Sequence, residues 1–302
     1  MATTSNYSGL TNAVEIRKDE LIVKASMGAE TLKTMDVYPN LAGKTLIPTL
    51  DASVTFQDGA KCSFDPNSSD SWGEVELDPR TLKIDKSWCF RTVNQKFEAW
   101  NVKVAIGLET TPYEDKFIDA QLGAINEALD VAIWSGVTGV MTGLTAQFDA
   151  ASAVTIDPQI PTGTTIDEKI DAIVGAIPAK AFKMGEGNLV RVYLSHSDLA
   201  SYIGALNGKC CGKIALIDGA VDELAYPGNS KVILTAVWGL EGLGYIVAVP
   251  NGSLAYGTDV EGSENIYRFK QDEKTDEFYL KVAFTAAVAP KLPSLSVVYK
   301  AS

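Results

Sequence analysis

An α+β fold, with one elongated pair of layers and one compact unit, is what the chain predicts, on three observations. The first is a long amphipathic helix. Ile118, Leu122, Ile125, Leu129 and Ile133 recur at spacings of four, three, four and four, which puts one apolar stripe on a helix. The second is a long alternating strand. Phe278, Leu280, Val282, Phe284, Ala286 and Val288 occupy every second position, with Tyr279, Lys281, Ala283, Thr285 and Ala287 between them. Strands usually run about five or six residues, so this one is long, and a long strand suits a long helix as the second layer of one domain. The third is a cluster of shorter units, "NLVRVYLS", a capped helix from Ser195, "SKVILTAVWG" and "GYIVAVP", which reads as a compact α+β domain.

Taken in chain order, Met1 to Gly43 is polar and weakly patterned, with a short helix-like piece ending near Glu30; it reads as an arm rather than a core. From Lys44 to Trp100 the texture is strand and turn. "TLIPTLDASVTF" carries β-branched residues around Pro48, which reads as an edge strand or an irregular entry. "DPNSSDSWGE" is turn chemistry. In "VELDPRTLKIDKSWCF", Leu82, Ile84 and Lys86 oppose Lys83, Asp85 and Ser87, and much of the region is polar on both faces. A lone hairpin is marginal in water, so this ribbon is expected to lie on something else, such as another copy of the chain. Phe64, Trp72 and Trp88 are spread along or beside it. Large aromatics on a poorly buried ribbon suit anchoring to a partner, which makes these three the inter-subunit contact candidates. Replacing Gly59 through Lys86 by a short turn is therefore expected to leave a folded monomer that does not assemble.

The long helix has a start signal in Thr111, Pro112 and Glu114: an N-cap, a proline at the first helical position and an acid two residues later. Gly136 is the expected stop. The span from Pro112 to Ser135 would be about 36 Å long. A loop zone rich in Gly, Thr and Pro runs from Val137 to Thr164. A second helix starts at Thr165 with Glu168 completing a capping box, carries Ile166, Ile170, Ile173, Val174 and Ile177, and ends at Pro178. Ser195 and Asp198 cap a third, with Leu199, Tyr202, Ile203 and Leu206 inside and Asn207-Gly208 at its end. "NIYRFK" pairs with the long strand across the turn "QDEKTD". No internal repeat is visible.

Composition narrows the function classes. The chain has 302 residues and a formal net charge of -12, with no basic run; phosphate binding needs clustered Lys and Arg, so specific nucleic-acid recognition is not expected. No stretch approaches the ~20 apolar residues of a membrane span, and the N-terminus lacks a signal-peptide pattern. Four cysteines, Cys62, Cys89, Cys210 and Cys211, are too few for a disulfide scaffold, so a reduced, intracellular chain is expected.

Chemistry-bearing patterns are sparse. The one histidine, His196, lies in "SHSD". A Ser-His-Asp relay needs its members gathered from separate elements, and Ser195 and Asp198 are better explained as caps. Cys210-Cys211 lacks the further ligands of a metal site. Asp65, Asn67, Ser69 and Glu76 stand at calcium-loop offsets, but Asp70 replaces the required glycine and no helix flanks them. "GLEGLG" from Gly239 precedes a strand and lacks the dinucleotide spacing. No catalytic residue, cofactor or metal is expected.

The order of elements resembles the major capsid proteins of tailed bacteriophages, whose Hong-Kong-97-type fold is shared with encapsulin shells. "GEVELDPRTLKIDKSWCFRTVNQKFEAW" is similar to their extended loop and "TPYEDKFIDAQLGAINEALDVAIWSG" to their spine helix. "NLVRVYLSHSDLASYIGAL" is similar to the strand–helix pair of the axial domain. "VPNGSLAYGTDVEGSENIYRFKQDEKTDEFYLKVAFTAAVAP" resembles their closing segment, especially in phages associated with Bacteroidetes. The resemblance implies an N-terminal arm over 1–43, an extended loop over 44–100, a peripheral domain from 101–160 and 255–302, and an axial domain over 161–254. It implies a structural protein without enzymatic activity that self-assembles, as pentamers and hexamers, into the head shell enclosing viral DNA. Portal, scaffold or decoration proteins would be its other partners, with assembly in the host cytoplasm and a final place in the virion. An encapsulin-like compartment shell is the alternative, and a small intracellular enzyme the third reading. Some relatives cross-link a Lys to an Asn between subunits; no such pair is assigned here.

Overall fold

The computed structural model describes residues 14–53, 69–108, 113–151, 155–156, 165–208, 222–260, 265–272 and 277–300. Helix α1 (Lys18–Met27) leads through a 3-10 turn (Thr31–Thr34) to β1 (Asp36–Tyr38), β2 (Thr45–Ser53) and β3 (Ser69–Leu77). β4 (Arg80–Cys89) runs into α2 (Phe90–Ala105), and α3 (Tyr113–Ser135) follows. The small hairpin β5 (Gly136–Val137) and β6 (Met141–Thr142) precedes α4 (Leu144–Ala150) and β7 (Thr155–Ile156). Then come α5 (Ile166–Ala176), α6 (Ala181–Met184), β8 (Val190–Leu194), α7 (His196–Gly208), β9 (Glu223–Ala225), β10 (Val232–Ala236) and β11 (Tyr245–Pro250). β12 (Leu254–Gly257), β13 (Ile266–Asp272), β14 (Glu277–Pro290) and β15 (Val297–Lys300) complete the chain.

The long helix is α3, and its stripe behaves as the periodicity predicts. Ile118, Leu122, Ile125, Leu129 and Ile133 are all buried, in one core with Phe269, Phe278, Leu280, Val282 and Phe284 of β13 and β14. Each such side chain contributes about 1.5–3 kcal/mol by leaving water. The start signal at Thr111 and Pro112 lies outside the described residues. At the other end Gly136 takes φ 78°, and a Cβ there would stand 2.5 Å from the Gly143 nitrogen, so the chain can leave the helix this way only with glycine.

β14 is the axis of a five-stranded sheet. Along one edge it pairs with β4, from Glu277↔Cys89 to Ala286↔Arg80. Along the other it pairs first with β13 and then with β12, which in turn pairs in parallel with β1. Phe278 through Val288 alternate inward as expected. Past Ala283 the second face closes too, because Ala287 and Ala289 pack under Leu41, Leu77 and Ala255.

A six-stranded sheet, ordered β7-β15-β11-β8-β10-β9, forms the second core with α5 and α7. Both helices start as their caps predict. Thr165 and Glu168 form a reciprocal capping box. The Asp198 N–H donates to Ser195 Oγ at 3.0 Å, and the Ser195 hydroxyl donates to Asp198 Oδ2 at 2.8 Å.

Two expectations change. The segment read as an arm reaches into the main core: Leu21, Ile22, Ala25, Ala29, Leu32 and Met35 are buried with the α3 stripe, and the buried Tyr256 hydroxyl donates to Ser26 O at 2.7 Å. Its apolar residues are few, but they are helix-spaced, and that is enough to fill a groove beside α3. The segment read as one ribbon over 44–100 divides in three. Only β2–β3 stands apart; β4 is a full partner of β14, and 90–105 is a helix. Lys86 made β4 look polar on its inner face. In the fold its ammonium reaches past the apolar layer to donate to Gln121 Oε1 at 3.0 Å, as a long amphipathic side chain can.

Candidate assembly surface

β2 and β3 form a two-stranded ribbon in register from Thr45↔Leu77 to Ser53↔Ser69, and among the described residues they pair with no other strand. Pro48 fits because each strand of such a ribbon has an unpaired outer edge. The root is fixed: Leu77 is fully buried, and Ile47 and Val75 pack on the cluster around Leu41 and Ala255. Period-2 alternation then sorts the faces. Ile47, Thr49, Gly73 and Val75 are half-buried, whereas Leu46, Pro48, Leu50, Trp72, Glu74 and Glu76 are exposed. Leu50 and Trp72 stand directly opposite each other at 44% and 72% exposure. An apolar cross-strand pair held open to water on a ribbon with no core of its own is a surface built for contact.

The three aromatic candidates meet different fates. Phe64 lies outside the described residues. Trp72 is on the exposed face of the ribbon. Trp88 is half-buried in the body of its own subunit, with its ring 5.3 Å from Phe117 and 6.4 Å from Phe269. It belongs to a run of aromatic contacts through Phe117, Phe269 and Phe278, with Tyr113, Phe97 and Trp100 at the outer end. Trp88 therefore fastens β4 under α3 within its own subunit. Trp88→Ala should cost about 2–4 kcal/mol and lower the melting temperature clearly. Trp72→Ala should leave melting within about 0.5 kcal/mol while reducing particle yield. Circular dichroism melts and sedimentation of the two variants check this, and equal melting losses would overturn the distinction.

Sequence reasoning missed a second apolar surface. Val102, Val104, Ile106 and Leu108, on the last turn of α2 and just after it, are all exposed. Val93, buried, and Phe97 and Trp100, half-buried, were its legible signal: they give α2 a helix-spaced inner face.

Several of the residues weighed for chemistry have partners in the fold. Glu76, from the calcium-loop pattern, is in β3 and pairs with Lys44 at 2.7 Å; Asp65 and Asn67 lie outside the described residues, as do Cys210 and Cys211. Gly239 of "GLEGLG" sits in a 3-10 turn against α3. Its N–H donates to Asp130 Oδ2 at 2.6 Å, and a Cβ would stand 2.3 Å from the Asp130 carbonyl oxygen. Asp130 also accepts the Thr31 N–H at 2.8 Å, so one buried carboxylate on α3 ties together the N-terminal segment and the turn after β10. Burial pushes its pKa up, against the pull of those N–H donors. His196 lies against Glu30 and Asp222, while the Ser195 hydroxyl is engaged by Asp198.

No protein-family model matches the sequence, and no curated protein does. Solved structures match the fold over almost the whole chain. The satellite phage P4 procapsid including size determination (Sid) protein aligns at TM-score 0.61 and 9% identity, over 99% of this chain and 98% of that one. The virus-like particle from Pyrococcus furiosus aligns at 0.54 and 10%, over 98% and 100%. The capsid of Myoviridae phage XM1 aligns at 0.51 and 12%, over 90% and 91%. On these near-full-length matches, the chain has the α+β Hong-Kong-97-type capsid fold.

Proposed function

We propose that this chain is a major capsid protein that self-assembles through pentamers and hexamers into an icosahedral head shell around viral DNA. The observation that carries the reading is the unpartnered β2–β3 ribbon, with Leu50 and Trp72 open to solvent, on a chain whose near-full-length fold matches are capsids and a virus-like particle. A shell subunit needs stiff elongated parts and surfaces for its neighbours. It needs no catalytic group, and the functional assignment here is structural rather than enzymatic. The net charge of -12 suits a wall to which packaged DNA does not adhere. The ribbon lies across a neighbouring copy, the sheet of β14 with α3 forms the peripheral domain and the six-stranded sheet the axial domain. Assembly takes place in the host cytoplasm, and the finished protein belongs to the virion.

A compartment shell around a cargo protein is the second reading, favoured by the match to the Pyrococcus furiosus particle. Negative-stain microscopy of the purified protein tests both. Closed, uniform icosahedral particles are expected. Particles that co-purify with one stoichiometric host protein would favour the compartment, and a protein that stays monomeric at high concentration and under crowding would sink both readings.

A further inference from the structure

Three side chains from remote segments converge beside α7. Glu30 precedes the Thr31–Thr34 turn, His196 is the first residue of α7, and Asp222 immediately precedes β9. His196 Nε2 lies 3.1 Å from Glu30 Oε2, and Nδ1 lies 3.8 Å from Asp222 Oδ1. One ligand atom from each residue falls within 4.8 Å of the other two. The side chains retain 33%, 26% and 43% exposure for His196, Glu30 and Asp222, so an ion has access from solvent.

We propose that His196 and Glu30 bind a divalent transition-metal ion, with Asp222 orienting the imidazole and water completing the coordination shell. Imidazole nitrogen and carboxylate oxygen each coordinate such ions at about 2.0–2.2 Å, which sets two ligands of one ion roughly 3–4 Å apart. The Glu30–His196 separation already meets that. Ligation at Nε2 leaves the Nδ1–H to donate to Asp222, the carboxylate–imidazole pairing that fixes ring orientation in metal sites; a shift of about 1 Å in the Asp222 side chain closes it to hydrogen-bond length. Glu30 is itself held, since its Oε2 accepts the Trp238 N–H at 3.2 Å. Charge favours a cation: among the described residues no lysine or arginine forms an ion pair with Glu30 or Asp222, and Asp198 and Glu241 add negative charge at the same helix end, Glu241 accepting the Ser197 N–H at 3.4 Å. The imidazole selects zinc-like ions over Mg²⁺ and Ca²⁺, which prefer all-oxygen shells. The ion would clasp segments 166 positions apart, joining the N-terminal segment to the second sheet. Sequence spacing cannot show such a site, because no two ligands share an element. The proposal stands independently of the shell reading.

The test uses the full chain with zinc chloride, cobalt chloride and magnesium chloride. Equilibrium dialysis should give one tight Zn²⁺ per chain, and saturating Zn²⁺ should raise the melting temperature by about 2–4 °C. His196→Gln and Glu30→Gln should abolish both effects, and Asp222→Asn should weaken binding about 10–100-fold. Co²⁺ should develop visible ligand-field absorption in the parent only. Because His196 is the sole histidine, its carbethoxylation by diethyl pyrocarbonate reports on the site without any variant, and Zn²⁺ should slow it at least tenfold. Equal stabilisation by Mg²⁺, Zn²⁺ binding unchanged in His196→Gln, or carbethoxylation indifferent to Zn²⁺ would each overturn the proposal.

Discussion

Replacing residues 48–74 by a short Gly-Ser turn is expected to leave a folded, soluble subunit that builds no closed shell. The cut removes the part of β2–β3 beyond its root and keeps Ile47, Val75 and Leu77, which pack against the body. Of the described side chains that are lost, Pro48, Leu50, Trp72 and Glu74 are exposed and Thr49 and Gly73 half-buried, and among the described residues β2 and β3 pair only with each other. Removing it should shift stability by about 1 kcal/mol or less, in the range of surface changes, with helical circular dichroism and cooperative melting retained. Assembly should be abolished, because a ribbon with no core contributes little unless a neighbour covers it. Sedimentation and microscopy read the outcome. Closed particles from the truncated chain would mean that the ribbon is not the main clamp, and loss of folding would mean that it belongs to its own subunit's core. The cut suggested by sequence alone, Gly59 through Lys86, would fail for another reason. It takes Arg80 to Lys86 out of β4, which pairs with β14 over that stretch, and it would expose a central strand edge.

Leu122→Asp is expected to prevent folding. Leu122 is buried in the stripe of α3, inside the core that α1, β13 and β14 share. A carboxylate there would sit among the apolar side chains of that core, and burying a charge costs several kcal/mol. Loss of the leucine adds about 2–5 kcal/mol. A domain has about 5–15 kcal/mol in total, so the sum consumes most or all of it. Ala124→Asp is the control: Ala124 is exposed on the same helix, and the same charge there should change stability by about 0.5 kcal/mol or less. Soluble yield and thermal melts of the pair decide. Cooperative melting of Leu122→Asp near the parent temperature would mean that α3 does not pack as described.

Much of this architecture is local and therefore legible. The α3 stripe, the alternation along β14, the caps at Thr165 and Ser195 and the stop at Gly136 all follow from residues within a few positions of one another, because helix and strand periods bring i, i+4 and i, i+2 neighbours onto one face. What tertiary structure decided was partnership. β2–β3 and β4 have similar alternating texture, yet β4 completes the sheet of β14 while β2–β3 stands free, because pairing is set by which edge lies alongside in space. Trp72 and Trp88 are the same residue type in the same stretch, one exposed and one packed on Phe117. The short stripe of α1 is too brief to announce a core element, and it becomes one because α3 and the β14 sheet leave a groove of its size. His196 beside Glu30 and Asp222 depends on three segments meeting. Sequence by itself determined the strongly periodic elements, α3, β14 and the capped helices α5 and α7, and the capsid-like order in which they occur, but not the helix over 90–105. The neighbours of each face were decided by long-range packing, whose energy comes from burial between segments that no local pattern connects.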